Sequence, residues 1–123
     1  MTILKKPISF IASVNSDESR YFYETVLGLK CLSDDPYALV FDLGRTTLRI
    51  QKIESIPDVS YTVLGWEVEN IRQCITELSS KGVQFKKFSQ LSQDELGVWS
   101  SPSGALVAWF KDPDGNLLSM TEI

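Results

Sequence analysis

Residues 7–14, Pro7-Ile8-Ser9-Phe10-Ile11-Ala12-Ser13-Val14, form a strand-like run. Asn15 follows as a helix N-cap, with Glu18 three positions on in a capping-box arrangement. Phe22, Tyr23 and Val26 make an apolar helical stripe with the small Ser19 on the same face, so the spacing predicts a helix to about residue 26. Gly28 is placed to stop it. Three strands are then predicted, over 29–32, 37–43 and 46–52. Ser33-Asp34-Asp35-Pro36 and Gly44-Arg45 supply the turns between them.

The same order recurs after the polar stretch Glu54-Ser55-Ile56-Pro57-Asp58. Residues 61–68 read as a strand, and Asn70 repeats the role of Asn15. Ile71, Cys74, Ile75 and Leu78 give a second helical stripe, and Gly82 ends it. Strands are predicted over 83–88, 98–99, 105–111 and 116–122, with a polar loop at 89–96. Asp112-Pro113-Asp114-Gly115 turns the last two strands into a hairpin. Ile8 and Val63 are 55 positions apart, as are Asn15 and Asn70. A βαβββ unit therefore occurs twice, giving an α+β fold. We expect one domain of two modules, about 7–52 and about 61–123, joined by a linker at about 53–60.

Each unit would make a small curved sheet with its helix on one face, and the two would curve around a shared cleft. Alternation then sorts the side chains. Ile8, Phe10 and Ala12 oppose Ser9, Ile11 and Ser13. Thr47, Arg49 and Gln51 oppose Leu48 and Ile50, while Val63, Gly65 and Glu67 oppose Leu64, Trp66 and Val68. Leu117, Ser119 and Thr121 oppose Leu118 and Met120. In three of these strands one set is purely apolar and suits the helix side, while the other mixes small, polar and charged residues and suits a wet pocket.

The chain has 123 residues and a net charge of −4, with no basic cluster longer than a pair such as Lys86-Lys87, so no nucleic-acid partner is expected. No apolar run approaches the ~20 residues a bilayer demands. Cys31 and Cys74 form no metal-binding pattern and read as buried thiols of a reducing cytoplasm. The start carries two lysines without an apolar stretch behind them, so no export signal is expected. Histidine is absent altogether. No Ser-His or Cys-His pair can form, and no glycine-rich phosphate loop is present.

Phe22-Tyr23 with Val26-Leu27-Gly28-Leu29 resembles the "FY…LGL" signature of the glyoxalase, bleomycin-resistance and extradiol dioxygenase superfamily, the vicinal oxygen chelate proteins. Phe110-Lys111-Asp112-Pro113-Asp114-Gly115-Asn116 resembles its "F-x-DPDGN" signature, and Leu78 through Gly82-Val83 its "L-x-x-x-G-V". The resemblance covers almost the whole chain and implies the doubled βαβββ fold. It also implies four metal-ligand positions, which here hold Ile8, Arg49, Val63 and Ser119. Isoleucine and valine have no donor atom, and a guanidinium repels a cation. No metal or other cofactor and no catalytic residue is therefore expected.

What the resemblance leaves is binding of a small molecule, as in the metal-free bleomycin-resistance type, with the ligand unidentified. A glyoxalase-, lyase- or dioxygenase-like enzyme with an atypical site is the alternative, and an interaction subunit with a vestigial cleft is a third. The candidate cleft residues are Ile8, Phe10, Phe41, Arg49, Gln51, Val63, Glu67, Trp99, Trp109 and Ser119. Phe41 and Trp109 fit either core or pocket. Arg49 and Glu67 could pair, or Arg49 could receive an anionic or carbonyl group. The resemblance also implies a homodimer, with modules paired within one chain or swapped between two.

Overall fold

The computed structural model describes residues 3–123. Contacts divide the chain into two compact units, one ending at Asp58 and the other spanning Val59–Ile123. The first unit holds β1 (Ile8–Ser13), α1 (Ser16–Tyr21), β2 (Lys30–Asp34), β3 (Ala38–Asp42) and β4 (Thr47–Lys52). Its sheet has the order β1-β4-β3-β2, with β1 parallel to β4 and the other neighbours antiparallel.

Asn15 caps α1 as the sequence predicts, its Oδ1 accepting from the Glu18 N–H at 3.3 Å. The helix widens into a π turn over Phe22–Val26. Gly28 then takes φ +77, a left-handed conformation that costs a glycine little. Strand register fixes which side chains lie under the helix. Phe41 faces Leu48, and Leu39 faces Ile50. All four are fully buried with Tyr23, whose ring centroid lies 5.8 Å from that of Phe41.

The second unit holds β5 (Leu64–Glu67), α2 (Ile71–Ser80), β6 (Trp99–Ser100), β7 (Leu106–Lys111) and β8 (Leu117–Glu122), in the sheet order β5-β8-β7-β6. The parallel pair is β5 with β8. Asn70 caps α2 by accepting from the Gln73 N–H at 3.1 Å. Ile71 and Ile75 of that helix are buried, as are Ala108, Phe110, Leu118 and Met120 of the sheet. The hairpin between β7 and β8 is organised by buried Asp112. Its Oδ1 accepts from the N–H groups of Asp114 and Asn116, and its Oδ2 from the Asn116 side chain.

One predicted strand is absent. Residues 83–88 meet the sheet only at the Phe85–Phe110 bridge and a 2.8 Å bond from the Lys86 N–H to the Trp109 carbonyl. That flank of β7 is shared, because β6 takes it at Leu106 and Val107. Gln93 ties down the loop beyond, donating to the carbonyls of Lys86 and Gly97 and accepting from the Phe88 N–H.

Carboxylates brace both units. Asp34 takes Lys52 and Arg20, linking β2 to β4 and α1. These partners, Lys52 first, hold its carboxyl below the ordinary 3.8. Asp94 is lowered by the Val98 N–H and then by Arg72, which reaches it from α2 at 2.7 Å. Carboxyls lowered in the folded chain bind protons more readily when it unfolds. Their stabilisation is complete above the unfolded value and disappears as pH falls through the lowered ones. Unfolding midpoints followed by circular dichroism are therefore expected to hold steady from neutral pH to about pH 4 and to drop below it. Asp34→Asn together with Asp94→Asn should flatten that drop, and an unchanged acid limb would rule these two residues out as its source.

Candidate functional site

Each sheet has a face turned away from its own helix. In the first unit register places Ile8, Phe10 and Ala12 of β1 on that far face beside Thr47, Arg49 and Gln51 of β4. Phe10 faces Arg49, and Val40 lies beyond it on β3. Ile8 and Phe10 are half exposed, at 52% and 53%. Arg49 is half-buried, and among the described residues its guanidinium makes no hydrogen bond or ion pair. Its charge is felt at Asp35, whose carboxyl is held low first by the N–H groups of Tyr37 and Ala38. Five guanidinium N–H donors are thus left for solvent or a ligand. Gln51 is exposed beside Ala12 and Ala38.

Phe41 is a correction. Expected among the cleft walls, it lies on the helix side with no exposed surface, because its register partner is Leu48 and its ring meets Tyr23. It belongs to the core of the first unit.

In the second unit the far face carries two rows across the sheet. One runs Trp109, Ser119, Gly65, and the other runs Trp99, Val107, Thr121, Glu67. Val63 continues the β5 parity and bonds through its N–H to the Leu117 carbonyl at 2.9 Å. Trp109 is therefore a far-face residue, although the apolar run around it left that open. Its indole is held on three sides. Nε1 donates to the Thr62 hydroxyl at 3.1 Å, Phe88 packs edge-on at 5.5 Å, and Trp99 lies tilted at 6.0 Å. A cavity of about 190 Å³ opens beside it, walled by Tyr61, Thr62, Phe88, Leu91, Trp109 and Leu117. Drug-sized pockets run to ~300–1,000 Å³, so this hollow suits one ring of a ligand.

Glu67 and Ser119 make no side-chain hydrogen bond or ion pair among the described residues. Glu122, on the opposite face from Glu67, is committed: its Oε1 accepts from the Ile71 N–H at 2.9 Å, at the start of α2. Sequence reasoning missed Thr62, Phe88 and Tyr61. Only tertiary packing brings them to Trp109, and no local pattern marks them.

A divalent cation does not fit these residues. The positions that the sequence resemblance assigns to metal hold two alkyl side chains, a cation and one hydroxyl. Among the described residues, no three of His, Cys, Asp and Glu are grouped closely enough to hold an ion. No helix among them is long and apolar enough to cross a membrane.

No protein-family model matches this sequence, and comparison with curated proteins finds no match. Solved structures do match over nearly the full chain. A member of the glyoxalase/bleomycin resistance protein/dioxygenase superfamily from Sphaerobacter thermophilus superposes with a TM-score of 0.76 at 21% identity, covering 98% of each chain. The antibiotic binding protein TnmS3 from Streptomyces gives 0.72 at 19%, covering 99% of this chain and 98% of that one. Lactoylglutathione lyase from Agrobacterium tumefaciens gives 0.72 at 18%, covering 98% and 94%. At such identities the likeness establishes the fold, which is that of the glyoxalase and bleomycin-resistance proteins.

Proposed function

We propose that this chain is a metal-independent small-molecule binding protein of the glyoxalase/bleomycin-resistance superfamily, acting in the cytoplasm as a homodimer. The observation that carries the reading is the aromatic array of Trp99, Trp109 and Phe88 on the sheet face away from the helix. Phe110, by contrast, is buried on the helix side, where Phe85 meets it. Rings beside a ring-sized hollow, with polar groups left uncommitted nearby, are what recognition of a flat molecule uses. Glu67 and Ser119 provide such groups on the same face of the second unit. The fold of an antibiotic binding protein is compatible with this reading. The half-exposed Ile8 and Phe10 favour a second copy as a partner.

Calorimetric titration with naphthoate, a planar aromatic anion, tests it. On the far face of the first unit Arg49 is the group suited to a carboxylate, and hydrogen bonds to a charged group contribute ~1.5–3 kcal/mol, so Arg49→Ala should weaken naphthoate binding there roughly 10- to 100-fold. Naphthol, which lacks the carboxylate, should lose far less. Equal losses for both compounds would remove Arg49 from the ligand site. Metal analysis is the second arm. Stoichiometric zinc, nickel, iron or manganese in the purified protein would overturn metal independence and favour a glyoxalase- or dioxygenase-like enzyme.

A further inference from the structure

Gly65 stands apart from the other glycines of the chain. The remaining six of its seven glycines all take positive φ, where a side chain is strained. Gly65 does not, so its backbone does not demand glycine. It also sits inside edge strand β5, where glycine weakens a strand and β-branched or aromatic residues are preferred. The demand comes from space. A Cβ at this position would lie 2.5 Å from Ser119 Oγ and 3.2 Å from the Ser119 carbonyl oxygen. The hydroxyl thus occupies the volume that any other residue at 65 would fill.

We infer that Gly65 is a specificity-determining residue of the second unit: its missing side chain lets the Ser119 hydroxyl lie over the bare backbone of β5, in the same cross-strand row as Trp109, as an uncommitted hydrogen-bonding group, so this face selects flat aromatic molecules that carry a polar atom on the ring edge. Ser119 is the register partner of both Gly65 and Trp109, which puts bare backbone, hydroxyl and indole in one row. That row spans two strand spacings, about 10 Å, the width of a two-ring system. The Ser119 hydroxyl makes no bond within the described residues, so its donor and acceptor capacity is free for a ligand. An alanine at 65 would drive Oγ into another staggered rotamer and redirect the bond. The ring would still find the indole, and the polar edge would lose its partner.

The inference rests on the proposed ligand-binding role of this face, and the test separates the two. Naphthol and naphthalene differ by one hydroxyl. Their binding is followed through the shift of the Trp109 indole N–H resonance in the parent, Gly65→Ala, Ser119→Ala and the double variant. The parent should prefer naphthol roughly 3- to 10-fold, the size of one neutral hydrogen bond. Ser119→Ala should abolish that preference. Gly65→Ala should abolish it too while keeping naphthalene affinity, and adding Gly65→Ala to Ser119→Ala should change nothing further. A preference retained in Gly65→Ala overturns the inference and leaves the binding role standing. Absence of any indole shift with either compound overturns the binding role, and the inference with it. Should Gly65→Ala fail to fold, the χ1 couplings of Ser119 and its contacts to the Gly65 α protons in the free parent decide. A hydroxyl turned away from Gly65 overturns the inference, and one lying over it upholds it.

Discussion

Phe41→Ala is expected to destabilise the first unit by about 3–5 kcal/mol, the usual cost of emptying an aromatic site in a packed core. The side chain is fully buried, lies against Tyr23 and shares its row with Leu48. A domain's whole stability is only ~5–15 kcal/mol, so the variant should melt far lower or fail to accumulate. Phe10→Ala removes the same ring from the other side of the same sheet. Phe10 is half exposed, and its loss should cost about 1 kcal/mol or less. Urea unfolding of the two variants, side by side, reads out which face each ring occupies. Similar losses from both would contradict the assignment of Phe41 to the core and Phe10 to the far face.

That contrast also marks where the sequence was legible. Asn15 and Asn70 announce their helices, because capping is local chemistry between residues three apart. The parity of β4 is equally plain, since Arg49 sits between Leu48 and Ile50 and only one side can face a core. Ser119 follows in the same way from Leu118 and Met120. Parity falls silent where both faces are apolar. Leu39-Val40-Phe41 and Val107-Ala108-Trp109-Phe110 are such runs. Phe41 fell to the helix side and Trp109 to the far face because of partners on other strands, Leu48 and Ser119. Residues 83–88 show the same limit. They have the composition of a strand, but a strand also requires a free neighbour, and β6 already occupies part of that flank. Gly65 did carry a local signal, an unexplained glycine inside a strand. Its reason, the Ser119 hydroxyl, came into view only with the register.

Trp109→Ala is expected to abolish most aromatic-ligand binding in the second unit while leaving its fold in place. The indole is the common member of every contact there. It forms one wall of the cavity, holds Thr62, and touches both Phe88 and Trp99. Residues at the centre of such clusters typically account for 2 kcal/mol or more of binding, so naphthol affinity should fall roughly 30-fold or beyond. Stability should suffer less than with Phe41→Ala, because Trp109 is half-buried and stands away from the α2 core. Trp66→Ala is the matching control. Trp66 is also half-buried, but it shares its row with Met120 and Ala108 on the helix side. Its loss should lower the melting temperature and spare naphthol binding. The two tryptophans therefore split the readouts, one governing affinity and the other stability. If Trp109→Ala binds naphthol as the parent does, the aromatic array is packing alone and the far face of the second unit is not a ligand surface.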